Sequence, residues 1–345
     1  MSAGERVLPR LHLLLLRVAG WAPDEVVCLL RARLAEGRLS EVARSLLGVV
    51  VAGRIPIRPE DAGLLARMLP DVPEVALLAG AVPADGTQRP ACAFAPVLAP
   101  AHTPPPVLDL SATVAVSPAD HAAREALGQV AHPLGLWRSW RSTAGGRDVP
   151  VYLVHSGADA AGLPGAADWI QGELARAGVG DPQVEVWGPG VGLPPYQRLA
   201  LGRSALLWAA EPAHPVTVAR VFDSWDPVGG GRFETDHPLL GTGDERSRVL
   251  DYLRQGRVLT ATTVTEPDVF DPDAGGVIPM IFRTDGAWIW TDAVIHYLNA
   301  YALSPDQELL AHIRERDHVF TEPSPVAEHR ALVALTAPAP SRDST

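Results

Sequence analysis

Residues 277–301 read VIPMIFRTDGAWIWTDAVIHYLNAY, and this stretch decides the fold class. Apolar runs at 277–282 and 287–290 predict two strands, because residues 284–286 between them (Thr-Asp-Gly) supply the backbone freedom of a tight hairpin turn. Thr291 then predicts the N-cap of a helix over the rest of the stretch. A strand pair followed at once by a helix indicates a sheet that is covered by helices.

The alternation of strands and helices extends outward from this stretch over residues 107–320. Strands are predicted over 136–142, 149–154, 183–187 and 216–222, and helices over 164–177 and 194–208. Residues 5–82 show helical patterns only. The sequence therefore predicts an α/β or α+β fold, in which a small all-helical N-terminal domain precedes a mixed-sheet domain covered by helices.

Proline marks the predicted domain boundary. Residues 83–106 are rich in Pro among Ala and Thr, a composition typical of an extended linker and incompatible with a helix or a central strand. The predicted division is a helical domain at 1–82, the Pro-rich linker at 83–106, an α/β domain at 107–320, and a short helix with a disordered tail at 321–345.

Composition excludes several function classes. All 29 basic residues among the 345 are Arg, so the chain lacks the Lys that P-loop NTPases, protein kinases and Schiff-base enzymes require. The net charge of −11 argues against nucleic-acid binding, which needs clustered positive charge. The two cysteines, Cys28 and Cys92, are too few for a four-thiolate metal site.

The N-terminal apolar run, residues 11–16, ends at Arg17 and is shorter than the core of a secretory signal. Its spacing predicts an amphipathic core helix instead. No apolar run approaches the ~20 residues that a membrane span needs. We therefore expect a cytoplasmic protein with no membrane partner.

An acidic loop follows the predicted strand 216–222. Its ionisable side chains are Asp223, Asp226, Glu234, Asp236 and His237, and a run of glycines lies among them. Carboxylates on a flexible loop after a strand are typical of α/β active sites and can hold Mg²⁺, which predicts a metal-assisted hydrolase or transferase with these residues as ligands and base. The alternative is a solvated loop in an acidic protein.

Aromatic residues form a second candidate site. Trp288 and Trp290 are two residues apart on one strand face, and Tyr297 and Tyr301 share one helix face at i, i+4. These four side chains would line a pocket or a partner surface, since Trp and Tyr are frequent anchors in interfaces. The alternative is that they form the core between sheet and helix.

Two other motifs are incomplete. The sequence Asp271-x-Asp273-x-Gly275 begins like a calcium loop, but Phe282 stands where a bidentate Glu is required. The glycines at 188–192 lack the spacing of a dinucleotide fingerprint, and the two prolines that follow them remove N–H donors. No cofactor is therefore predicted.

The stretch 277–316, with FRTDGAWIW at 282–290, resembles a C-terminal hairpin-helix module of uncharacterised actinobacterial proteins, for which no activity is established. Similar modules occur among bacterial conflict and immunity-type proteins. The resemblance and the lack of a complete catalytic motif favour a non-catalytic cytoplasmic interaction protein, an adaptor or immunity-type protein. Its partner would be a protein, and the acidic charge favours a basic one. The metal-assisted hydrolase or transferase remains the alternative.

Overall fold

The computed structural model describes residues 3–98, 105–114, 117–226, 228–241 and 243–337. The chain divides into two compact units, unit 1 (Met1–Glu211) and unit 2 (Pro212–Thr345). Both units combine helices with a mixed sheet, which confirms the predicted fold class. The predicted disordered tail lies outside the described residues from 338 onward, and so do residues 99–104 of the predicted linker.

Unit 1 begins with helices and continues into a mixed sheet. Its helices are α1 (Ala3–Val18), α2 (Asp24–Ala35), α3 (Leu39–Gly53), α4 (Pro59–Met68), α5 (Pro118–Ala126), α6 (Leu163–Arg176) and α7 (Pro195–Leu201). Its strands are β1 (Ala93–Ala95), β2 (Leu108–Asp109), β3 (Pro133–Ser142), β4 (Val149–Ser156), β5 (Gln183–Trp187) and β6 (Ala205–Ala209). The strand order is β2-β6-β3-β4-β5, and β1 pairs with β3.

The first four helices bury their apolar stripes against one another. Leu11 and Leu15 of α1 pack with Leu30 of α2 and Leu46 of α3 in one core cluster. The spacing of the two α1 leucines places them on one helix face, as the sequence predicts. The N-terminal apolar run therefore belongs to the core of unit 1.

Buried polar contacts join these helices to the sheet. The Arg31 guanidinium of α2 donates to the Glu185 carboxylate in β5 at 2.5 Å, with side chains 1% and 0% exposed. The Gln197 amide donates to the other Glu185 oxygen at 2.9 Å, and the His12 ring lies 2.8 Å from the Val186 carbonyl. The helical region and the sheet thus share one compact unit.

The unit boundary does not coincide with the predicted linker. The sequence places the division at 83–106, whereas the compact units divide between Glu211 and Pro212. The physical reason is that Pro-rich composition specifies extended backbone but not separation. The contacts of Arg31 with Glu185 bridge 154 positions of sequence and hold the two sides together.

Unit 2 is a smaller sheet with helices packed on it. Its helices are α8 (Asp244–Gln255), α9 (Asp292–Tyr301), α10 (Gln307–Glu315) and α11 (Pro325–Thr336). Its strands are β7 (Thr217–Val218), β8 (Ser224–Asp226), β9 (Gly230–Arg232), β10 (Arg257–Asp268), β11 (Asp271–Thr284) and β12 (Trp288–Thr291). The sheet order is β10-β11-β12-β7, and β8 pairs separately with β9.

Two predicted elements differ from the structure. The helix predicted over 194–208 ends at Leu201, and Ala205–Ala209 form the buried strand β6. The strand predicted over 216–222 is reduced to Thr217–Val218, which pairs in parallel with β12. The first difference arises because a short apolar run does not distinguish a helix from a fully buried strand.

The hairpin turn at 284–286 is confirmed. Thr284 pairs with Ile289 across the antiparallel β11–β12 ladder, and Gly286 has a φ of +95°, a conformation that favours glycine. The buried Asp285 carboxylate accepts the backbone N–H groups of Ala287 and Trp288 at 2.9 and 2.8 Å. The turn is therefore closed by its own side chains.

The buried pair of Arg31 and Glu185 yields a stability prediction. The variant Glu185→Leu should lower the free energy of unfolding by about 3–5 kcal/mol, because it leaves a buried guanidinium without its carboxylate. The double variant Arg31→Met/Glu185→Leu should regain most of this loss. Urea unfolding of the full chain, followed by tryptophan fluorescence, measures both.

A matched control is the exposed pair of Arg38 and Glu41, whose side chains are 46% and 47% exposed. Glu41→Gln should change the free energy of unfolding by less than about 1 kcal/mol. If Arg31→Met/Glu185→Leu is as unstable as Glu185→Leu alone, the explanation is wrong, because the unpaired Arg31 charge would then not be the cause of the lost stability.

Candidate functional site

The acidic loop forms a hairpin whose carboxylates bind its own backbone. The Asp226 carboxylate accepts the N–H groups of Val228 at 2.9 Å and Gly229 at 2.5 Å, which closes the turn between β8 and β9. The Asp223 carboxylate accepts the N–H of Glu234 at 2.8 Å. Two of the five predicted site residues thus stabilise the loop itself.

His237 is held between two hydrogen-bond acceptors. Its Nδ1 lies 2.8 Å from a carboxylate oxygen of Asp223, and its Nε2 lies 3.1 Å from the backbone carbonyl of Ser304. Burial would raise the pKa of Asp223, but hydrogen bonds from the Glu234 N–H and from His237 bring it below its usual value. With both ring nitrogens engaged, His237 offers no free lone pair to a substrate.

An open cleft lies beside this pair. Its volume is about 50 Å³, and Arg220 and Asp306 line it together with Asp223 and His237. Arg220 Nε lies 3.0 Å from an Asp306 carboxylate oxygen, so the two charges in the wall neutralise each other. The cleft therefore presents no uncompensated charge from these two residues.

The predicted metal ligands do not assemble. Among the residues that the structure describes, no group of three or more His, Cys, Asp or Glu side chains is placed to hold a metal ion. The loop brings Asp223 and His237 together, whereas Asp226 is engaged in its own turn and Asp236 is exposed. Within the loop, the structure brings together a carboxylate–imidazole pair.

Three of the four predicted aromatic residues lie in the core of unit 2. Trp290 is fully buried and donates its indole N–H to the Leu253 carbonyl at 3.1 Å. Trp288 and Tyr297 are also buried, so these three side chains are not available at the surface. Tyr301, at the end of α9, is 38% exposed and remains a surface candidate.

The acidic loop and α9 meet through aromatic rings. The Phe233 ring of the loop packs on Tyr297 with centroids 4.8 Å apart and stacks on Phe270 at 5.7 Å. Phe270 lies in the turn between β10 and β11 and contacts the Tyr301 ring at 4.7 Å. Two regions that the sequence analysis treats separately therefore form one surface, together with a turn that it did not single out.

We name this surface the acidic-aromatic face. Its aromatic members are Trp225, Phe233, Phe270 and Tyr301, and its acidic members are Asp223, Asp226, Glu234, Asp236, Glu266, Asp271 and Asp273. The segments 222–237 and 266–273 contain these seven acidic residues, the buried Asp268 and one arginine, Arg232. Unit 2 as a whole has 11 Arg against 20 Asp and Glu, so it carries −9 of the net charge of −11.

Asp268 fixes the β10–β11 turn on α9. One carboxylate oxygen lies 2.8 Å from the His296 Nε2 and accepts the Tyr301 hydroxyl at 2.7 Å. The other oxygen accepts the Phe270 N–H at 2.9 Å. Burial would raise the pKa of Asp268, but these hydrogen bonds, that of His296 foremost, hold it below its usual value.

Asp268 could not be predicted from the sequence, because its partners on α9 are 28 and 33 positions away. The only local signal of a role for Asp268 was its position two residues before Phe270, and this spacing also fits an ordinary Asx turn. The exposed Trp225 was likewise missed, because no periodic pattern surrounds it.

Comparison with protein-family models, with curated proteins and with solved structures finds no match. The resemblance of residues 277–316 to an actinobacterial module therefore stays a prediction. Within the described part of the chain, every helix is too short or too polar to cross a lipid bilayer.

The Asp268 contacts predict a pH-dependent stability. Asp268→Asn should lower the free energy of unfolding at pH 7 by about 1–3 kcal/mol, because three hydrogen bonds lose their charged acceptor and the amide offers one accepting oxygen in place of two. Since the folded pKa of Asp268 lies below its unfolded value of about 3.9, its contribution is present above that pH and disappears as the pH falls. Urea unfolding at several pH values measures this.

The free energy of unfolding of the wild type should therefore fall more between pH 5 and pH 3 than that of Asp268→Asn. The difference arises because the wild type takes up a proton at Asp268 when it unfolds and the variant does not. The exposed Asp273 near the start of β11 serves as the control, and Asp273→Asn should leave the free energy of unfolding at pH 7 nearly unchanged. Equal acid sensitivity of wild type and Asp268→Asn would contradict the assignment.

Proposed function

We propose that this chain is a non-catalytic protein-interaction protein of the cytoplasm, of the adaptor or immunity type, and that its acidic-aromatic face binds a basic protein. The observation that carries the proposal is the placement of exposed aromatic rings within two segments that hold seven exposed or half-buried acidic residues and one arginine.

The exposed rings have the character of interface anchors. Trp225 is 70% exposed and Phe270 is 52% exposed, although aromatic side chains of this size are normally buried. Aromatic residues are enriched at the centres of protein interfaces, where a few of them account for most of the binding energy. Exposed rings of this size therefore favour a protein partner over a role in stability.

The charge of the face favours a basic partner. Seven exposed or half-buried acidic residues lie in the same two segments as Trp225, Phe233 and Phe270, and like-charged partners would be repelled at short distance. An excess of negative charge also steers a basic protein toward the face and raises the association rate. Negative charge is therefore the second property that the proposed interface requires, and exposed apolar area is the first.

The face is also ordered in advance. Asp268 ties the β10–β11 turn to α9, and His237 ties the acidic loop to the Ser304 carbonyl. Surfaces that are fixed before binding lose less conformational entropy when a partner docks. The same hydrogen bonds that engage His237 on both nitrogens thus support binding and disfavour proton transfer to a substrate.

The test is capture with the full chain and with a double variant of the face. Wild-type protein on a solid support should retain basic proteins from a cytoplasmic extract, and salt should release them because the attraction is screened. Trp225→Ala/Phe270→Ala should weaken the affinity for a retained protein roughly 30-fold or more, the size expected for anchor residues. Titration calorimetry on the purified pair measures this loss.

The matched control is Leu77→Ala/Val319→Ala, which removes apolar side chains that are 55% and 63% exposed but lie outside the face. This variant should bind like the wild type. Retention of the same proteins by the face variant, or of proteins that are not basic, would contradict the proposal. So would turnover of a small molecule by a preparation that captures no protein.

A further inference from the structure

A small cavity in unit 1 lies between the end of α1, the start of α4 and the beginning of the Pro-rich stretch. Its volume is about 40 Å³, which is room for about three water molecules or for a group of similar size. Its wall combines charged and apolar side chains, among them Arg17, Arg58, Asp61, Trp21, Pro194 and Pro195. Small-molecule sites commonly have this composition, with a few polar groups set in an apolar wall.

The guanidinium of Arg17 has donors left over at this cavity. Its Nη1 donates to both carboxylate oxygens of Asp61, at 2.7 and 2.6 Å. In the part of the chain that the structure describes, Nε and Nη2 of Arg17 donate to no protein group, although the side chain is only 17% exposed. Nε and Nη2 form an edge of the guanidinium fork that matches the two oxygens of a carboxylate. Arg17 therefore keeps one carboxylate-binding edge unused.

The charges of the wall favour an anion. The charged residues that line the cavity are Arg17, Arg58 and Asp61, so the wall carries one net positive charge in a chain whose net charge is −11. Arg58 lies 3.6 Å from the Glu60 carboxylate, but both side chains are exposed and such a contact contributes little to stability. Arg58 is therefore available to a bound ligand.

We propose that this cavity binds a short-chain organic monocarboxylate. The carboxylate accepts hydrogen bonds from Nε and Nη2 of Arg17 and from the Arg58 guanidinium, and the carbon chain lies against Trp21 and the prolines of the wall. The cavity lies in unit 1, whereas the acidic-aromatic face lies in unit 2, so this proposal does not rest on the proposed function.

The single charge and the small size both follow from the wall. A cation would be repelled by the two arginines, and a dianion such as phosphate would place a second negative charge beside the buried Asp61. A carboxylate has one charge and three heavy atoms, which fit a cavity of this volume. The apolar part of the wall in turn favours a ligand with a hydrocarbon group over a bare inorganic ion.

The cavity is held in shape by contacts that involve no ligand. The Ile57 N–H donates to the Val82 carbonyl at 2.9 Å, and the Ala84 N–H donates to the Ile57 carbonyl at 3.0 Å. These bonds fix the segment that carries Pro56 and Arg58 to the start of the Pro-rich stretch. A site that is ordered before binding loses less conformational entropy when its ligand enters.

The experiment titrates the full chain with sodium propanoate at constant ionic strength. Nitrogen-15 NMR should show the Trp21 indole N–H and the Arg17 Nε–H shifting together, with one dissociation constant. Acetate should bind about threefold more weakly, because it lacks one CH₂ group that contacts the apolar wall. Propanamide, the neutral isostere of propanoate, and propylammonium, a cation of similar size, should leave both signals in place.

Variants assign the binding to the two arginines. Arg17→Lys keeps the charge beside Asp61 but loses the planar fork, so it should weaken propanoate binding about tenfold or more. Arg58→Gln should weaken it about threefold or more, because one charge-assisted contact is lost. The matched control is Arg67→Gln, which removes an exposed arginine of α4 outside the cavity and should bind propanoate like the wild type.

The proposal is overturned if propanamide shifts the two signals as much as propanoate does, or if Arg58→Gln binds propanoate like the wild type. It is also overturned if inorganic phosphate, propylammonium or the C-terminal carboxylate of an acetylated trialanine peptide binds more tightly than propanoate. Because Arg58 is 41% exposed, its variant tests the site even if Arg17→Lys fails to fold. A chain that binds propanoate but captures no basic protein would disprove the proposed function alone.

Discussion

A buried carboxylate must be matched by hydrogen-bond donors, because leaving its charge uncompensated costs several kcal/mol. Each unit of this chain is arranged around such a group. Glu185 receives Arg31 and the Gln197 amide in unit 1. Asp285 receives the Tyr252 hydroxyl at 2.6 Å, His312 and two backbone N–H groups in unit 2. Because these donors come from distant elements, each carboxylate fixes the mutual arrangement of the elements around it.

The distance along the chain between a carboxylate and its donors decides whether the contact can be predicted from the sequence. The turn at 284–286 was predictable, since its closing contacts reach only two and three residues ahead. The contact of Arg31 with Glu185 left no local signal, and the Pro-rich stretch was therefore interpreted as a domain boundary. Residues 205–209 were predicted to be helical because a strand buried on both faces lacks the alternation that identifies strands.

The candidate site was likewise predictable only in part from the sequence. Composition indicated the acidic loop, and helical spacing placed Tyr297 and Tyr301 on one face. Neither signal could show that Phe233 and Phe270 stack across 37 positions of sequence, or that burial removes Trp290 from the surface. Spacing identifies the face on which a side chain lies, whereas tertiary packing decides whether that face is covered.

Carboxylates, a histidine and aromatic rings near one cleft are also the components of many active sites, so the choice between binding and chemistry depends on how each group is engaged. A general base needs a lone pair directed at the proton that it removes. His237 has both nitrogens occupied by acceptors, and Asp226 is occupied by its own turn. What is left exposed is acidic charge and aromatic rings, the two properties on which the proposed function rests.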